Sequence, residues 1–167
     1  MIETKRERLV QWEDPSVSVA AIAALSGLEA WRAIIDGKIA PPPIAALMNM
    51  TAVFVEEGRI VFEGEAGEEH YNPIGIVHGG FALTIMDSAL GCAVHTMLPA
   101  GTTYATTDIQ VRMLRPISKA TGRVRCEAKV QHVGRTLGVA EATLVDKNGK
   151  LLATGTTACA IFARSVA

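Results

Sequence analysis

Asn72-Pro73-Ile74-Gly75-Ile76-Val77-His78-Gly79-Gly80-Phe81-Ala82-Leu83-Thr84-Ile85-Met86-Asp87 opens an almost wholly apolar run that continues to Leu98. Phe81, Leu83, Ile85, Met86, Leu90, Val94 and Met97 cover most sides of a helix built from that run. Such a helix is predicted to be buried. The Gly-Gly pair stands where it begins, at free backbone N–H groups and the positive end of the dipole. Asp87 lies about two turns further along. Leu83, Met86, Leu90 and Ala93 around it predict a desolvated carboxylate, which is costly unless paired or used. A helix N-terminus open to close backbone approach, with an acid at hand, is the equipment for polarising and attacking a carbonyl.

Outward from this helix, predicted over Gly79–Met97 and ended by Pro99-Ala100-Gly101, the pattern changes period. Leu47–Glu56 and Arg59–Ala66 read as strands joined at Glu57-Gly58. Tyr104–Leu114, Gly122–Val133, Thr136–Asp146 and Lys150–Ala163 read as four more. Val124, Cys126, Ala128 and Val130 alternate with Arg123, Arg125, Glu127 and Lys129, as in an antiparallel sheet with one wet face. Two strands, one long apolar helix and four strands give an α+β fold, a curved antiparallel sheet wrapped around one long central helix. One small sheet leaves part of that helix uncovered, and a homo-oligomer is expected to cover the rest.

Residues 1–47 show no strand alternation and are expected to form an N-terminal helical extension, with residues 48–167 as the main domain. Ser26 with Glu29 predicts a capped helix that stops at Gly37. Pro41-Pro42-Pro43 predicts an extended link, and Pro41–Met50 is a candidate lining for an apolar channel. The apolar stretch Val17–Leu25 follows Glu13 and Asp14, which argues against a secretory leader. The run Ile74–Leu98 carries two histidines and an aspartate, which argues for a buried helix over a membrane span.

The composition narrows the function classes. With 49% hydrophobic and 20% charged residues the chain of 167 residues is a globular protein able to build its own core. A net charge of −1 gives no footprint for nucleic acid. Cys92, Cys126 and Cys159 lack CxxC spacing and fit small buried residues of a reducing, cytoplasmic compartment. His70, His78, His95 and His132 lack ligand spacing, so no metal is expected.

Asn72, Gly75, His78-Gly79-Gly80 and Asp87, followed by Gly134-Arg135-Thr136 and Asp146-Lys147-Asn148-Gly149 in late strands, resemble the hotdog-fold thioesterases of the phenylacetate-degradation (PaaI-like) type. The resemblance runs from about Met48 to Ile161. It implies an acyl-CoA thioester hydrolase working as a homodimer or homotetramer, with sites between subunits, and no cofactor beyond the coenzyme A of its acyl-CoA substrate. It implies that the N–H of Gly80, helped by Gly79, polarises the carbonyl, and that Asp87 of the facing subunit is nucleophile or general base. Asn72 would orient thioester or water, and Thr106 or Thr107 would assist the water. Arg115 and Arg135 are candidate contacts for coenzyme A phosphates, since Arg suits phosphate recognition. His78 is read as an orienting residue more than a base. A related hotdog pattern with Glu and a Thr one turn later does not carry over, because Gly91 stands there. The resemblance assigns the extension no role. A non-catalytic acyl-CoA-binding protein and an enoyl-thioester hydratase or dehydratase are the competing readings, and the joint presence of Asn72 and Asp87 favours the hydrolase.

Overall fold

The computed structural model describes residues 5–163. Three short helices come first: α1 (Pro15–Ile22), α2 (Gly27–Ile35) and α3 (Pro43–Leu47). The hairpin β1 (Met50–Glu56) and β2 (Arg59–Glu65) follows, then α4 (Gly79–Thr96). The strands β3 (Thr102–Met113), β4 (Arg123–Val133), β5 (Leu137–Asp146) and β6 (Leu151–Ala163) complete the chain. They join one antiparallel sheet in the order β1-β2-β4-β5-β6-β3, so β1 and β3 are its edges.

Every predicted strand and the central helix are present, with ends displaced by a few residues at most. The alternation in β4 sorts as expected. Val124, Cys126 and Ala128 are fully buried, while Arg125 pairs with Glu63, and Glu127 with Arg59, on the outer face. Phe81, Ile85, Met86, Ala89, Leu90 and Val94 of α4 face the concave side of the sheet and fill the core. Burial of that face holds the helix.

The extension is more structured than its sequence suggests. The Ser26–Glu29 capping box forms as expected and starts α2. Two differences appear around it: α1 also forms, its first turn capped by the Asp14 carboxylate, and Pro43 starts α3 where an extended link was expected. Proline lacks an N–H that the first helical position does not need, so a proline run can lead straight into a helix. Gly27 fits where nothing larger would. A Cβ there would lie 1.7 Å from the His95 carbonyl oxygen. This contact brings α2 onto the C-terminal end of α4, and the Gly27 N–H donates to the Leu98 carbonyl at 3.0 Å. Trp31 and Ala45 belong to the same core as the sheet and α4.

Candidate active site

At its N-terminal end α4 leaves a loop that the Asn72 side chain organises. Asn72 Oδ1 accepts from the N–H groups of Ile74 and Ile76, at 3.1 and 3.2 Å. Gly75, at φ 81°, makes the turn between them. The Val77 N–H donates to Ile117 and the His78 N–H to His70, which seats the loop on its neighbours. His78 is the N-cap: its Nδ1 accepts from the Gly80 N–H at 2.8 Å. That nitrogen therefore acts as an acceptor, and the ring closes the first turn of α4 as its cap. The Gly79 N–H makes no hydrogen bond among the described residues. Asn72, His78, Gly79, Met113 and Arg115 border a hollow of about 280 Å³ here. The Arg115 guanidinium donates to the Leu151 carbonyl beside it.

Asp87 departs from its expected surroundings: its side is exposed, with Leu83 38% exposed near it. Met86, Leu90 and Ala93 turn to the core, because residues three and four apart share a helix face and these three lie on a different stripe from Leu83 and Asp87. The uncovered stripe of α4 includes Leu83 and Asp87, next to the unpaired edge of β3. Thr106 Oγ1 donates to Asp87 Oδ1 at 3.0 Å. A β-bulge produces this contact. Thr106 pairs with Cys159 and Asp108 with Ala158, so Thr107 is the extra residue between them. Thr107 turns its hydroxyl to the Ala158 carbonyl at 3.0 Å. Of the two threonines, only Thr106 touches the acid.

Asp87, Ser88 and Thr106 form one side of a cavity of about 370 Å³ whose other walls include Cys92, His95 and Tyr104. The His95 and Tyr104 rings lie 5.5 Å apart, and Cys92 Sγ is 3.7 Å from the Tyr104 hydroxyl. Burial pushes both the Cys92 thiol and the Tyr104 hydroxyl well above their ordinary ranges, so neither ionises near neutral pH. The Tyr104 ring also explains Gly91, where a Cβ would sit 2.6 Å from the ring.

Two half-sites thus share one helix. Seven residues separate Gly80 from Asp87, about 10 Å along the axis, too far for one carbonyl group to meet both within hydrogen-bond and near-attack distance. Arg115 stands at the N-terminal half-site. Arg135 does not join it: it is exposed in the β4–β5 turn, near the C-terminal end of α4, where Gly138 packs on Val94. Ser88, Cys92 and His95, four and three positions apart, share one face of α4 and border the cavity beside Asp87, a placement the sequence reading did not make. Tyr104 carried no sequence signal. Among the described residues no three His, Cys, Asp or Glu side chains gather as a metal set, and no helix is long and apolar enough to cross a membrane.

A curved antiparallel sheet around one long helix is the hotdog fold. A family model of the thioesterase superfamily matches residues 74–153. Human acyl-coenzyme A thioesterase 13 is 30% identical over 110 residues, covering 65% of this chain and 77% of that protein. A Halobacterium salinarum protein named as an esterase is 45% identical over 73 residues, 42% of this chain; the match spans 46% of that relative's length. Among solved structures, the E. coli PaaI protein from the phenylacetic acid degradation operon superposes with TM-score 0.72 at 19% identity, covering 86% of this chain and 99% of that one. A phenylacetic acid degradation-related protein of Ralstonia eutropha gives TM-score 0.71 at 25% identity, covering 78% and 98%. The chain belongs to the thioesterase superfamily.

Proposed function

We propose that the protein hydrolyses an aryl- or medium-chain acyl-CoA to the free acid and coenzyme A, at a site assembled from two copies of the chain. The single observation that carries this reading is the Thr106–Asp87 pair at 3.0 Å on the exposed stripe of α4, two turns from the helix N-terminal donors. In a two-fold dimer joined along β3, each exposed stripe faces its own copy, and position i of one meets j of the other. Antiparallel helices then bring the Gly79-Gly80 end of one copy to Asp87 of its partner. The same contact covers Leu83 and the long unpaired edge of β3, both of which invite a partner.

The thioester oxygen takes the Gly79 N–H, and the Gly80 N–H joins it by exchanging His78 Nδ1 for the oxygen. Negative charge then develops against the positive end of the helix dipole. Asp87 either takes a proton from water as that water attacks the carbonyl carbon, or attacks directly to form a mixed anhydride that water opens. In both routes the C–S bond breaks and coenzyme A leaves as the thiol. Thr106 holds the carboxylate in place. Asn72, its oxygen committed to the loop, keeps its amide N–H groups for the substrate. Arg115, beside the N-terminal half-site, is placed to meet the coenzyme A phosphates.

Purified protein and Asp87→Asn are assayed for thiol release across aryl- and alkyl-CoA thioesters. The variant is expected to lose ~10²-fold or more in kcat with substrate binding retained. Absence of turnover by the unaltered protein on every thioester, with acyl-CoA still bound, overturns the hydrolase in favour of a binding protein.

A further inference from the structure

The cavity beside Asp87 has walls of two origins. Asp87, Ser88 and Thr106 come from α4 and β3, whereas Ile22, Trp31 and Ile34 come from the helices that precede the sheet. We infer that this extension is one wall of the enzyme's acyl-group pocket, so that the chain supplying Asp87 also selects, with its first helices, a compact acyl group. The inference rests on the hydrolase reading above and gives that site its substrate class.

Three observations support it. First, the wall is fixed. Gly27 locks α2 against α4 through the Leu98 carbonyl, Ser18 Oγ donates to the Ala40 carbonyl at 3.1 Å, and Trp31 packs edge-on to Phe62 with ring centroids 5.6 Å apart. A flap resting loosely on the surface would have none of these contacts. Second, the wall that the extension adds is mostly apolar, while the polar groups Asp87, Ser88, His95, Thr103, Tyr104 and Thr106 come from α4 and β3. That wall is mainly aliphatic, proline and indole surface. An acyl group with its carbonyl at Asp87 would therefore bury its distal end against apolar walls, the ordinary construction of a small-molecule pocket. Third, the size of the cavity matches a compact group. About 370 Å³ is near the lower end of ligand pockets, which suits an aryl or other compact acyl group. No lysine or arginine lines it, so charge is not the basis on which the distal end of the acyl group is held.

The test uses S-methyl-, S-(2-phenylethyl)- and S-dodecyl-coenzyme A, thioethers that cannot be hydrolysed, titrated by calorimetry into the full-length protein, Ile34→Trp and Ile34→Ala. Affinity ratios within one variant cancel differences in folded fraction. Filling the pocket with Ile34→Trp is expected to lower the phenylethyl-to-methyl affinity ratio about tenfold or more. Enlarging it with Ile34→Ala is expected to raise the dodecyl-to-phenylethyl ratio severalfold. Ratios that stay within about twofold of the unaltered protein in both variants overturn the inference. Thioether binding does not depend on catalysis, so the two readings fail separately: shifted ratios without thiol release remove the hydrolase and keep the pocket, and thiol release with unshifted ratios does the reverse.

Discussion

The two ends of α4 are built by different means. At the N-terminal end, Asn72 bonds residues two and four places on, and His78 caps Gly80 two places on. Nearly everything there is local, so the geometry is written into one short stretch of chain. Around Asp87 the partners come from afar: Thr106 from β3, Cys92 and Tyr104 at the rear, and Trp31 from the extension. A local end tolerates the loss of one contact because its neighbours still hold the backbone. An end assembled from distant elements depends on each of them being docked.

Trp31→Ala should break the distant end most severely. Deleting a buried indole costs roughly 3–5 kcal/mol, seen as a lower midpoint in denaturant unfolding. Trp31→Phe should cost much less, since the indole Nε1 is buried with no acceptor among the described residues and its removal relieves an unsatisfied donor. Equal losses for the two would show that the N–H has a partner.

Thr106→Val keeps a β-branched strand residue and removes only the hydroxyl that holds Asp87. A fall in kcat of about tenfold is expected, some 1.4 kcal/mol of barrier. Thr107→Val, whose hydroxyl bonds the sheet, should leave kcat nearly untouched; the opposite ranking would mean the bulge aims the wrong threonine.

At the local end, His78→Ala removes the cap of α4 and should cost about 1 kcal/mol of stability, measured by thermal unfolding. The large core face of the helix keeps it folded.

The smallest effect concerns neither end. The Arg59 guanidinium holds the Glu127 carboxyl below its ordinary value, against the opposing effect of burial, with Lys129 helping. A carboxylate lowered in the folded state adds stability above its unfolded value, near pH 4, and that stability is lost as pH falls through the lower folded value. Arg59→Ala should therefore flatten the acid limb of a stability–pH curve recorded between about pH 3 and 6. An unchanged limb would assign it to other carboxylates. Both partners are partly exposed, so the change is small and fades with salt.

The contrast also sorts what could be read in advance. Six strands and the central helix were legible because period-two and helical patterns are local properties of the chain. The capped start of α2 and the glycine turn at Gly58 were legible for the same reason. Asp87 is exposed in the single chain because Met86, Leu90 and Ala93 lie on the core side of the helix and Leu83 shares its open stripe, and which side meets the sheet is a matter of packing. The first helix went unread for lack of any apolar stripe, and α3 because a proline run signals extension as readily as a helix start.

The amino-acid sequence by itself determined the elements, their order, the helix that carries Gly79-Gly80 and Asp87, and the family to which the chain belongs. Tertiary structure alone decided that Asp87 faces outward, that a bulge hands it Thr106 and not Thr107, and that Trp31 reaches the same cavity. The reason is physical: those facts depend on side chains between nineteen and fifty-six positions apart meeting in space. No local pattern encodes such a meeting until the sheet curves and the helices dock.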